Sequence, residues 1–224
     1  MELNNPLYKN QGIHAIASIF TVSNGKVKVL LIRRKKEPFK DEWILTGGAV
    51  YNNEEIIDGL RREILEKTGI KDINLYQFNT YSKLDRSPEM RMVAVAYVGL
   101  IDSNKVDLLK ETRNTSDSDW FDIDMVPNLG FDHSLILKDA RIELGKLILK
   151  TNILKNLFPD RVTIPELHKT YESILNKKFD RRNFRKKILT LNLLDETTKL
   201  NENATGRPAK LYKFKDVIEE KNVF

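Results

Sequence analysis

The 224-residue chain contains no cysteine. That absence excludes a disulfide framework, a thiolate metal site and a cysteine nucleophile, and it suits a cytoplasmic home. Histidine is scarce, at three residues. His14 and His168 stand at no metal-ligand spacing to each other or to the glutamates, and neither is given a role. No apolar run is long enough to span a bilayer and no basic-then-apolar start marks an export signal, so no membrane partner is expected. Acidic residues are also short at the C-terminal end. Residues 161–224 hold 15 Lys or Arg against 9 Asp or Glu, whereas residues 1–160 hold 23 of each, so the whole net charge of +6 sits in the tail. A neutral body with a basic tail implies an anionic macromolecular partner for the tail alone. Hydrophobic residues, at 41%, are plentiful enough for one large core or two modest ones.

The densest pattern runs from Gly48 to Ile70, GAVYNNEEIIDGLRREILEKTGI. From about Asn53 to Thr68 the apolar residues Ile56, Ile57, Leu60, Ile64 and Leu65 recur at helical spacing, which predicts a helix with one inward stripe and a charged opposite face. Asn53 is the expected N-cap and Gly69 the stop. Glu63, Glu66 and Lys67 are then neighbours on the helix surface. Clustered carboxylates on such a face gather hard divalent cations, which sit well against a diphosphate. An ordinary acidic amphipathic helix accounts for one glutamate pair. It does not account for Gly48, Glu54, Arg62, Glu63, Glu66 and Gly69 at this spacing.

The stretch resembles the Nudix box, the signature of enzymes that cut nucleoside diphosphates linked to another group. The resemblance implies an α/β fold, a Nudix-type α/β/α sandwich, and a magnesium site held by the glutamate at 63 and the pair at 66 and 67. The second member of that pair is Lys67 here. A protonated ammonium has no lone pair and brings positive charge to the place of a metal ion. Glu63 and Lys67 also form an i, i+4 pair in the favourable order. Lys67 is therefore read as filling the cation's seat in a degenerate box (Gly48, Glu54, Arg62, Glu63, Glu66, Lys67), with no catalytic residue, no metal and no cofactor expected. Thr46, where the family has proline ahead of the double glycine, is a second departure.

Around the box, residues 14–22 and 26–32 read as strands joined by Ser23-Asn24-Gly25, a strong hairpin signal. Arg33 and Arg34 open the charge run that follows, and a strand-end position near the box makes them candidates for a phosphate or carboxylate. Residues 73–81 and 90–100 are further strands, the second apolar enough to be covered on both faces. Residues 117–124 surround Trp120 and Phe121. Residues 132–150 suit a long helix whose apolar face carries Leu135, Ile136, Leu137, Ala140, Ile142, Leu144, Leu147 and Ile148. His133, which opens this helix, is either a ligand contact or, as the plainer reading, a cap-region histidine. This alternation makes a layered α/β domain over 1–150. Arg33, Arg34, Trp43, Glu63, Lys67, Arg86 and Arg91 are the candidate ligand-binding residues.

A second domain is expected at 163–224, after a linker at 151–162. Thr163-Ile164-Pro165-Glu166 reads as a capping box with proline in the first turn. Asp180 is the natural N-cap of a second helix whose exposed face carries Arg181, Arg182, Asn183, Arg185 and Lys186, while Phe184, Ile188 and Leu191 turn inward. Two helices joined by a tight turn, the second basic at its start, match the way a helix-turn-helix enters a major groove. Arginine suits guanine and phosphate, and asparagine suits adenine. The segments at 193–195 and 209–214 read as a hairpin, a wing whose tip holds Arg207 between Gly206 and Pro208, with Lys210 beside it.

A degenerate Nudix box followed by the DRRNFRKK helix and the GRPAKLYKF hairpin is similar to the Nudix-related transcriptional regulators of the NrtR type and to the sugar-responsive regulators such as AraR. The resemblance spans about Gly12 to Phe214. It implies a homodimeric repressor with a winged-helix domain on operator DNA and a small-molecule effector, ADP-ribose or a pentose sugar, in the former catalytic pocket. The alternative is an active hydrolase of ADP-ribose or another nucleoside diphosphate derivative, which would need magnesium.

Overall fold

The computed structural model describes residue 5 and residues 9–201 and 209–215, with backbone alone for 198–201. The chain divides into two compact units. The first holds residues up to Phe20, Lys28–Gly99 and Asn104–Ala140, and the second holds Thr21–Val27, Leu100–Ser103 and the chain from Arg141.

The first unit is built on strands β1 (Gly12–Ser23), β2 (Lys26–Arg34), β3 (Trp43–Ile44), β4 (Thr46–Ala49), β5 (Leu75–Tyr81), β6 (Met92–Leu100) and β7 (Thr115–Asp122). They form one sheet in the order β3-β2-β1-β6-β5, with β4 paired to β1 and β7 to β2. Asn24 and Gly25 both take positive φ, 53° and 73°, the geometry a two-residue hairpin turn requires. β1 and β6 lie at the centre and are continuously buried over residues 15–21 and 94–100, as two-sided cover demands.

Helix α1 (Ile56–Thr68) packs on β4 and β7. It starts later than expected and is capped by extended Glu55, not Asn53. The residues before it are committed to a turn, in which the Tyr51 amide donates to Glu54 Oε1 at 2.8 Å and the Glu54 amide to the Tyr51 carbonyl at 3.4 Å. Gly69 ends the helix in the left-handed region, and its amide closes on the Leu65 carbonyl. The buried face is Gly59, Leu60, Glu63, Ile64 and Thr68. Leu65, expected inward, is exposed, because the buried stripe steps by four through Leu60, Ile64 and Thr68 and leaves it on another side. In α2 (His133–Lys150) the buried positions are His133, Ile136, Leu137, Ala140, Leu144 and Ile148. Leu135 and Ile142, expected on that face, are exposed, since a stripe stepping by four residues leaves them on another side.

In the second unit the expected linker is packed: Ile153, Leu154 and Leu157 are buried around a short 3-10 turn at Ile153–Asn156. β8 (Val162–Thr163) leads into α3 (Ile164–Leu175), then α4 (Arg181–Thr190), β9 (Leu194–Asn201) and β10 (Ala209–Phe214). The three strands form an antiparallel sheet in the order β8-β10-β9. The capping box is complete: the Glu166 amide donates to Thr163 Oγ1, and Glu166 Oε2 accepts the Thr163 amide at 2.7 Å. Asp180 caps α4 by accepting from the Asn183 amide at 2.9 Å. Leu167, Tyr171, Ile174, Phe184, Ile188, Tyr212 and Phe214 make the core. His168 Nε2 bonds the Phe179 carbonyl at 2.8 Å and its ring meets Phe184 edge-on, so α3 is fixed to the turn before α4. This β-strand, two-helix and hairpin arrangement is a winged helix. Among the described residues no helix is long and apolar enough to cross a membrane.

Candidate functional site

A cavity of about 390 Å³ opens in the first unit. One wall is α1 with the β4 glycines, and its charges are tightly arranged. Glu63 is 8% exposed and shared between two cations: Oε1 takes Arg62 Nη1 at 2.7 Å and Oε2 takes Lys67 Nζ at 2.8 Å. Lys67 also donates to the Gly47 carbonyl at 2.5 Å. Arg62 forks onto Glu54 through Nε at 3.0 Å and Nη2 at 2.7 Å, and lies 3.9 Å over the Tyr51 ring. Hydrogen bonds from Arg62 and then from the Tyr51 amide hold the Glu54 carboxyl below the usual carboxylate range. The two glycines are sterically required. A Cβ on Gly48 would stand 2.1 Å from the Glu63 carboxyl carbon, and one on Gly47 would stand 2.3 Å from the Ala15 carbonyl oxygen.

These residues do not fit the magnesium site that a Nudix box implies. Both oxygens of Glu63 and both of Glu54 already accept N–H donors, exposed Glu66 lies 3.8 Å from Arg62, and Lys67 takes the backbone carbonyl beside Glu63. Among the described residues no three His, Asp or Glu are grouped as for a metal ion. Breaking a buried pair of this kind leaves an uncompensated charge, which typically costs about 3–5 kcal/mol.

The other walls come from distant segments. The loop before β6 supplies Arg86, Ser87, Glu89 and Met90, and Met92 opens β6. Arg86 is buried and forks onto Asp132 through Nε at 3.0 Å and Nη2 at 2.8 Å. Arg34 lies 5.1 Å over Phe131, its Nε donating to the Pro38 carbonyl at 2.8 Å. Phe131 stacks on His133, and His133 in turn faces His14, with ring centroids 5.4 and 6.5 Å apart. The Leu45 amide donates to His133 Nδ1 at 3.1 Å, so Nε2 carries the proton of a neutral ring. Burial, with Lys67, Arg86 and Arg34 nearby, lowers the pKa of His14 to about 3. Burial likewise pushes His133 well below the ordinary histidine value. The cavity thus combines Arg34 and the ion-paired Lys67 and Arg86 with the carboxylates of Glu63 and Glu89, neutral histidines and an apolar side.

Of the residues singled out in the sequence, Arg34, Glu63, Lys67 and Arg86 line this cavity. Arg33, Trp43 and Arg91 do not. Strand alternation turns Arg33 away from Arg34, and its register partner Trp43 packs edge-on against Phe121 at 4.6 Å. Arg91 is engaged by the carbonyls of Ser82 and Lys83, closing its own loop. The sequence reading missed Asn114 and Phe131, gave His14 no role, and preferred a cap-region role for His133 over a ligand contact. No local motif marks them, because they meet only through the fold.

In the second unit Arg181, Arg182, Asn183, Arg185 and Lys186 are all exposed on α4, while Phe184 and Ile188 anchor the helix from behind. Among the described residues none of those four cations has an ion-pair partner. Lys210 on β10 pairs with Glu196 at 2.5 Å. Arg207 and the hairpin tip Gly206–Pro208 lie outside the described residues.

The Nudix domain family model matches residues 12–140, and the NrtR DNA-binding winged helix domain model matches 154–214. The chain is 30% identical over 201 residues to the ADPR responsive transcriptional repressor NtrR of Acinetobacter baylyi, covering 88% of this chain and 79% of that protein. Over 127 residues it is 30% identical to an ADP-ribose pyrophosphatase of Methanocaldococcus jannaschii, which covers 57% of this chain and 73% of that one. The crystal structure of Shewanella oneidensis NrtR complexed with a 27mer DNA is similar at a TM-score of 0.78 and 26% identity, over 91% of this chain and 93% of that one. The Nudix domain of the same protein, complexed with ADP ribose, is similar at a TM-score of 0.57 and 26% identity, over 64% and 94%.

Fold and sites together define a Nudix domain joined to a DNA-binding winged helix. The chain belongs to the NrtR family of Nudix-related transcriptional regulators.

Proposed function

We propose that this chain is an ADP-ribose-responsive transcriptional repressor, a cytoplasmic homodimer whose Nudix cavity senses and does not hydrolyse. The sensing domain is assigned to 1–150, the connecting segment to 151–162 and the operator-binding domain to 163–224. The observation that carries the sensing role is Lys67, whose ammonium joins Glu63 to the Gly47 carbonyl inside the Nudix box. Of the two effector classes expected, ADP-ribose is favoured over a pentose by the relative responsive to ADPR and by the cations Arg34, Lys67 and Arg86 on the cavity walls.

On the operator side, α4 of each copy enters the major groove of a half-site. Arg181, Arg182, Asn183, Arg185 and Lys186 meet bases and phosphates, and Arg207 and Lys210 of the wing grip the backbone. Two-fold symmetry makes the operator palindromic. ADP-ribose controls repression by preferring one arrangement of the dimer, since a ligand with equal affinity for both shifts nothing.

The test is protection of operator DNA by the full chain in its own genomic neighbourhood. A protected palindrome released by ADP-ribose is expected, and a lack of any protected palindrome would overturn the assignment. The second reading, a pyrophosphatase with a basic appendage, draws on the retained Glu54, Arg62, Glu63 and Glu66 and on the hydrolase relative. Incubation with ADP-ribose and magnesium separates the two: rapid release of AMP, lost in Glu66→Gln, would establish the enzyme. Lys67→Glu is expected to bind magnesium more tightly than the native chain, as calorimetry would record.

A further inference from the structure

We propose that the cleft between α3 and α4 holds the phosphate backbone of duplex DNA beside the groove that α4 enters, with Lys169 of α3 and Lys178 of the intervening turn gripping it. This rests on the operator-binding reading above and carries the DNA surface beyond α4.

The cleft has a volume of about 750 Å³, and its walls include Lys169 and Glu172 of α3, Lys178 and Phe179 of the turn, and Arg181 and Arg185 of α4. Three chain segments thus bring four cations to one concave surface. All four are exposed, and among the described residues Lys169, Arg181 and Arg185 have no ion-pair partner. The frame that carries them is fixed from α3. Glu172 Oε1 accepts the Phe179 amide at 3.0 Å and the Phe179 carbonyl is bonded to His168 Nε2 at 2.8 Å, so both backbone groups of this turn residue are clamped. Glu172 Oε2 meets Lys178 Nζ at 3.2 Å, with the lysine side chain 91% exposed. An ion pair so open to water is worth little, and the lysine is free to turn to a phosphate.

The kind of anion follows from what the two helix starts withhold. The Asp180 side chain already takes the Asn183 amide, and Thr163 Oγ1 takes the Glu166 amide. Those amides are therefore spent on caps and build no cradle for one small anion. Recognition is left to long, solvated side chains, which supply charge without a fixed shape. Such a surface gains most from a row of phosphates whose counterions it displaces. Arg181 and Arg185 lie one helical turn apart and share the cleft wall, so a strand held there borders the groove that receives α4.

The experiment measures binding of the full-length protein to two duplexes of unrelated sequence, each about three helical turns long, by fluorescence anisotropy across a salt series. Lys169→Ala combined with Lys178→Ala is expected to weaken both duplexes by the same factor, about three- to thirtyfold near 0.1 M salt, and to lower the salt slope by about one to two. Lys169→Arg with Lys178→Arg keeps the charges and should keep the native slope. Lys150→Ala, which removes an exposed charge at the end of α2 outside the cleft, should also leave the slope as it is. Thermal melts confirm that the variants fold. An unchanged slope in the double alanine variant, a loss confined to one of the two sequences, or an equal drop in Lys150→Ala would overturn the role of the cleft and leave the operator reading of α4 standing. A native chain that binds neither duplex at any salt would overturn both.

Discussion

Positive charge is handled in opposite ways in the two units. In the Nudix unit Arg62, Lys67 and Arg86 are each tied to carboxylates of the same unit at 2.7 to 3.0 Å, with their side chains largely sheltered from water. On α4 of the winged helix Arg181, Arg182, Arg185 and Lys186 stand exposed, without an ion-pair partner among the described residues. Cations fixed by carboxylates keep a set geometry, which suits recognition of one small molecule. Cations left in solvent gain most from a dense row of phosphates, where neutralisation releases counterions. The same residue types therefore serve a shaped pocket in one unit and a polyanion surface in the other.

The contrast is broken most forcefully on α4. Replacing Arg182 and Arg185 together by alanine is expected to lower operator affinity at least about a hundredfold and to reduce the salt slope by about two, while ADP-ribose affinity stays unchanged. Fluorescence anisotropy across a salt series measures both, and an unaltered slope would mark the face as merely solvated.

Acid acts next, and on the Nudix unit. His14, lowered to about 3, and His133, also lowered, take up protons more readily in the unfolded chain, where histidine titrates near 6.5. Their neutral forms are therefore compatible with folding above that value, and stability should decline as pH falls from about 6.5 towards 3. Urea midpoints at stepped pH would record the decline, and His14→Gln should flatten it. A profile unchanged by that substitution would contradict a neutral His14.

Smaller effects sharpen the comparison within each unit. Gly48→Ala drives a methyl into the Glu63 carboxyl and is expected to cost about 1–3 kcal/mol by denaturant unfolding. Thr163→Ala removes one half of the capping box of α3 and is expected to cost about 1 kcal/mol, without touching ligand affinity. A neutral result for either would mean that the surrounding backbone adjusts freely.

Legibility followed the range of the interaction. The capping box at Thr163 and Glu166, the Asp180 cap, the Gly69 stop and the Asn24-Gly25 turn were readable because each is settled by residues within four positions of one another. Asn53 was misread as a cap because a turn closed by Tyr51 and Glu54 competes for the same backbone. Leu135 and Ile142 looked inward by composition, yet the helical period placed them outward.

By itself the sequence determined the Nudix box with its lysine, the basic face of α4 and the segregation of net charge into the tail, all of which are local or additive properties of the chain. Only the tertiary structure decided that Arg34 and not Arg33 faces the cavity, and that His14, Asn114, Phe131 and His133 meet there. Those residues are separated by as many as about 120 positions, and strand register and pairing across the sheet bring them together, which no periodicity along a single segment encodes.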